Sequence, residues 1–166
     1  MNSILHQIVD YQEEYCFDSK PGLEDVCPVL SELQETSINY IGEIEAAVET
    51  LDDIISRFEL EPTTSVTKVK YELRVRINKL KLKFDVEIGR RLTRLSTVMI
   101  GKVEEEIVHA SALRARTPNE KREIEKSVEE AKSDLSSASR IKDMVKKTVP
   151  VINAIGKILP ILVALF

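Results

Sequence analysis

Residues 149–166 read VPVINAIGKILPILVALF, with Lys157 their one charge and Asn153 their one other strongly polar side chain. A run this apolar has to be covered, because each Å² of apolar surface left in water forgoes about 25 cal/mol. Its length borders on the roughly 20 residues with which a helix spans a bilayer. Pro150, Pro160 and Lys157 interrupt a clean span, so shallow or partial insertion is an equal alternative. Lys142, Lys146 and Lys147 stand just before the run, as they would at a cytoplasmic-side stop. The segment has three destinations: the core of a helical bundle, a membrane, or a seam between copies. Its candidate membrane-contact residues are Ile152, Ile155, Ile158, Leu159, Ile161, Leu162, Val163, Leu165 and Phe166.

Charge is also segregated. The formal net charge of −4 divides into −13 over residues 1–62, +7 over 63–116 and +2 over 117–166. Opposite-signed regions attract each other or find outside partners. The simplest outcome is an acidic helix packed beside a basic element. The functional alternative is a basic face for anionic lipid or an acidic partner, with Lys81, Lys83, Arg90, Arg91, Arg94, Lys142, Lys146 and Lys147 as its candidates. Nucleic-acid binding through Lys79 and these neighbours is disfavoured, since no interleaved exposed aromatics or Gly-rich loop accompany them.

Most of the chain has helical periodicity. Residues 3–17 carry Ile4, Ile8, Tyr11 and Tyr15 on one face, with Asn2 or Ser3 placed to cap them. They lack the basic start and unbroken apolar run of a secretory signal. Ser19-Lys20-Pro21-Gly22 reads as a turn. A long acidic helix is expected over 28–59. Its seam runs through Leu30, Leu33, Ser37, Ile41, Ile44, Val48, Leu51, Ile55 and Phe58 in near-heptad steps. Helices follow over 90–115 (Leu92, Leu95, Met99, Val103, Ile107, Ala110) and 118–148 (Ile124, Val128, Ala131, Leu135, Ala138, Ile141, Val145). The second opens on Thr117-Pro118-Asn119-Glu120, which has the form of a capping box.

Residues 69–88 are two-sided. Val69, Tyr71, Leu73, Val75 and Ile77 alternate with charges. After Asn78-Lys79 the alternation resumes at Leu80, Leu82, Phe84, Val86 and Ile88. Period two favours a basic β-hairpin with an Asn-Lys turn and one apolar face. Against it, that register sets Arg76 beside Lys81 and Arg74 beside Lys83. The alternative is a helix with Val69, Leu73, Ile77, Leu80, Phe84 and Ile88 on one stripe and Tyr71, Val75, Leu82 and Val86 on a second. Such a helix could merge with the one after it.

Reactive side chains are sparse. Cys16 and Cys27 flank the turn and are expected as free buried thiols, with a disulfide as the alternative in an oxidising compartment. His6 and His109 have no partners at ligand spacing. No phosphate loop, nucleophile elbow, zinc spacing or dinucleotide fingerprint is present, so neither metal nor cofactor is expected and an enzyme is disfavoured.

The sequence therefore predicts a mainly α fold: a helical bundle over 1–148, with the 69–88 hairpin or helix, and an apolar segment over 149–166. The expected function is non-enzymatic self-association with membrane contact through the C-terminal segment, released after a signal. The alternative is a cytosolic adaptor or structural subunit that binds partner helices. Location follows as cytoplasmic, peripheral to a membrane or tail-anchored in one. Burial of 149–166 points to the adaptor, and exposure points to the membrane.

Overall fold

The computed structural model describes residues 1–18, 20–58, 64–109, 117–140 and 144–166. They form α1 (Asn2–Tyr15), α2 (Cys27–Phe58), α3 (Thr64–His109), α4 (Pro118–Arg140) and α5 (Met144–Leu165), with no strand among the described residues. The mainly α fold class holds.

The expected hairpin does not form. Residues 69–88 lie inside α3, which continues without a break into the helix expected from residue 90. The 3.6-residue stripe prevails over the two-residue one because it meets a partner along most of its length. Ile77, Leu80, Phe84 and Ile88 are buried, and Leu73 packs at the edge of the same contact. A helix also disperses the like charges that a hairpin would oppose. The cost is a second apolar stripe with little cover: Tyr71 is 68% and Leu82 51% exposed.

At 46 residues, α3 is about 69 Å long and serves two neighbourhoods. Its N-terminal part pairs with the C-terminal part of α2 as a two-helix arm, with Ile44, Ala47 and Leu51 packed on Ile77 and Leu80. Its C-terminal part enters the main core with α1, α4, α5 and the start of α2. The α2 seam departs from expectation within the arm. Ala47 takes the inward place assigned to Val48, which is 37% exposed, and Phe58 is exposed as well. The step from Ile44 to the next buried position, Ala47, is three rather than four, so the seam rotates past Val48. Ser37 is buried, and its hydroxyl donates to the Leu33 carbonyl at 2.6 Å.

The ends of the helices show how local signals were used. At α4 the capping box forms: the Glu120 N–H donates to Thr117 Oγ1 at 3.2 Å, and the Thr117 N–H to Glu120 Oε2 at 3.3 Å. Neither Asn2 nor Ser3 caps α1; Met1 occupies that position without a side-chain bond. The two cysteines are not free thiols. Gly22, at φ +84°, turns the chain back, brings the Cys16 and Cys27 Cα atoms to 5.7 Å and permits a disulfide, which requires such proximity. The side chains of Ile107, Val145 and Lys146, and residues Ala110, Ile141 and Lys142, lie outside the described residues.

Tyr40 joins α2 to α3 where the arm meets the core. Its ring stands edge-on to Phe84 with centroids 6.1 Å apart, and its hydroxyl donates to Glu87 Oε2 at 2.5 Å. The hydrogen bond to Glu87, then burial, raises its pKa above the usual 10.0. The folded chain therefore keeps this proton at a pH where the unfolded chain releases it. The linked stability is present below about pH 10 and is lost as pH rises further. Tyr40→Phe is expected to lower unfolding free energy by about 1 kcal/mol at neutral pH. It should also make the alkaline decline shallower than in the unsubstituted chain, as read by urea titration on either side of pH 10.

Candidate membrane-contact helix and the basic face of α3

Among the described residues, α5 is the one helix long and apolar enough to cross a membrane. Its stretch Lys147–Leu165 has a mean hydropathy of 1.9. In the folded chain it is a core element. Ile152, Ile155, Ile158, Leu159 and Leu162 are fully buried, and Ile161 and Leu165 nearly so. Val163 is partly buried and Phe166 is 47% exposed. The nine candidate contact residues therefore divide into seven that face protein and two that lie nearer the surface. Pro150 lies in the second turn of α5, where it removes the internal hydrogen bond to the Lys146 carbonyl. Pro160 falls in the last two turns, where it removes one internal hydrogen bond to the Gly156 carbonyl.

Few polar contacts hold α5. Lys157 Nζ meets Asp134 Oδ2 of α4 at 2.5 Å. The Tyr11 hydroxyl of α1 donates to the Ile152 carbonyl at 3.0 Å. Burial, then Asp10 and Glu14, raises the Tyr11 pKa, which keeps it a donor. Gly156 makes that approach possible, since a Cβ there would lie 2.5 Å from the Tyr11 hydroxyl oxygen. At the far end Phe166 covers the Gly22 turn, where a Cβ would come within 2.9 Å of its ring. The buried Ser96 hydroxyl of α3 lies 3.5 Å from the Val151 carbonyl, and most of the remaining hold on α5 is apolar contact with α3, α4 and α1.

The basic candidates separate by position. At about 100° per residue, Tyr71, Val75, Leu82 and Val86 fall within a 60° arc of α3. Lys79, Lys83, Arg90 and Arg94 follow on one edge of that arc. Lys83, Arg90, Arg91 and Arg94 line one groove with Leu82 and Val86. Arg91 is occupied there, with Nη1 donating to Thr36 Oγ1 at 3.2 Å and Nη2 paired with Glu87 at 3.1 Å. Lys81 projects from another side of the helix. Lys147 comes from α5 to meet Arg90 and Arg94 across a second cleft. Lys79 belongs with Lys83 by its four-residue spacing, a signal visible in the sequence. The roles of Asp134, Tyr11 and Gly156 had no such signal, because each depends on a partner distant in the chain.

No protein-family model, curated protein or solved structure matches this chain. Among the described residues no group of three His, Cys, Asp or Glu side chains is arranged to hold a metal ion.

Gly156→Ala tests the seating of α1 on α5. Alanine improves helix propensity by about 1 kcal/mol, yet its methyl displaces Tyr11. The expected outcome is net destabilisation by about 1 kcal/mol or more. In a double-mutant cycle with Tyr11→Phe, the combined loss should be smaller than the sum. Guanidinium unfolding of the four chains measures both.

Proposed function

We propose that this protein is a non-enzymatic, membrane-directed helical bundle that stores its bilayer-length helix in its own core. One observation carries the reading: α5 is at once the most apolar helix and a core helix held almost entirely by apolar contact. Apolar contact is not specific to protein, and a bilayer offers the same side chains an equivalent environment. The exposed face of α3 supplies a docking surface. Tyr71 and Leu82 stand in solvent beside Lys79, Lys83, Arg90 and Arg94, the pattern by which amphipathic helices meet anionic bilayers. In this reading α3 makes first contact and α5 follows after α1 and α4 loosen. The Cys16–Cys27 bridge favours an oxidising compartment over the reducing cytoplasm.

The second reading is a soluble adaptor or structural subunit. Burial of α5 agrees with it, and Val48, Phe58, Val69 and Tyr71 give the arm exposed apolar side chains for a partner helix or a second copy. It requires no release of α5.

Flotation with vesicles of phosphatidylserine and phosphatidylcholine, against phosphatidylcholine alone, separates the two. The membrane reading expects the full chain to float with anionic vesicles only, less so in high salt, and the amides of α5 to change their hydrogen-exchange protection on binding. Lys79→Gln with Lys83→Gln should weaken binding about thirtyfold, at roughly 1 kcal/mol per basic residue. A chain that stays at the bottom of the gradient in both cases, with α5 protected equally throughout, overturns it.

A further inference from the structure

A second feature lies between α3, α4 and α5. A cleft of about 510 Å³ opens there, within the range of small-molecule sites. Val86 and Gly89 of α3, Leu135 and Ala138 of α4, and Val151 of α5 give it an apolar wall. Its polar lining is Arg90, Arg94 and Lys147, together with Asp85, Thr93 and Ser139. Asp85, the one carboxylate among the described lining residues, is buried and has a partner of its own. Among the described residues Arg90, Arg94 and Lys147 have neither a hydrogen bond nor an ion pair. A further sign of open space is Gly89, where an added Cβ would meet nothing within 4 Å.

We infer that this cleft binds the head and proximal chain of a single-chain anionic amphiphile. Three unpaired cations from two helices line the same cleft, which suits a compact anion such as a phosphate monoester or carboxylate. The apolar wall suits methylene groups. A free inorganic anion would leave that wall wet, and a neutral chain would leave the cations uncompensated. The site shares Arg90 and Arg94 with the membrane reading but needs no bilayer, so titration with a soluble amphiphile and flotation with vesicles fail separately.

Isothermal titration with dodecyl phosphate below its micelle concentration tests this on the full chain, with inorganic phosphate and dodecanol as the two half-ligands. The expected result is saturable binding of dodecyl phosphate at one per chain, with each half-ligand at least about tenfold weaker. Arg90→Gln with Arg94→Gln should weaken binding about tenfold or more. Gly89→Leu should fill the cleft and abolish binding while raising the melting temperature, since it also improves helix propensity. Absence of saturable binding overturns the inference. So does unchanged affinity in Gly89→Leu. Equal binding of inorganic phosphate would reduce the site to a simple anion contact and overturn it too.

Discussion

Removal of α5 from water is the interaction on which the other helices depend. Burying one Ile or Leu side chain is worth about 1.5–3 kcal/mol, and α5 contributes a nearly continuous column of them. The neighbours are not self-sufficient. α4 is strongly polar, with Ile124, Val128, Ala131 and Ala138 as its buried residues, and most of what they meet is α5. α1 presents only Ile4 and Ile8 as buried side chains and reaches α5 through Tyr11. The C-terminal half of α3 closes the other side. A bundle built this way has its most apolar helix as its centre and its polar helices as a coat.

Charge segregation has a structural use within that frame. The acidic α2, net −6, and the basic α3, net +5, run side by side, so these two parts of the segregated charge oppose one another in space. Few of these charges form close pairs across the two helices, so the benefit is a broad attraction rather than a set of bonds. Lys79, Lys83, Arg90 and Arg94 lie along the edge of the second stripe of α3, beside the exposed Tyr71 and Leu82. The same stripe reads as alternation in the sequence.

How much of this was legible follows from the range of the signals. Helix type and the capping box at Thr117 depend on neighbours within a turn, and they could be read directly. The hairpin expectation over 69–88 failed because both periods fit the residues, and only a partner helix could choose between them. Val48 failed for a smaller reason: a one-residue rotation of the seam put Ala47 inward. The disulfide depended on how tightly the Gly22 turn folds back. The candidate basic residues share only a residue type in the sequence, and the fold divides them. Arg91 is tied to Glu87 and Thr36, whereas Arg90 and Arg94 face open space from the same turns. The cleft they line had no linear signature, since its walls come from three helices.

The length of α3 has one more consequence. A single unbroken helix passes from a deep many-helix core into an arm where only one partner covers it. Cooperative units in proteins open at free energies set by the apolar contacts they lose. The two ends of this helix therefore belong to different units, although the backbone hydrogen bonds between them are the same. The arm would unzip from its tip toward Tyr40 many times for each opening of the core, with Phe84 as the point where the fraying stops. Stiffness along the helix thus changes from end to end without any glycine or proline inside the arm segment to mark a hinge.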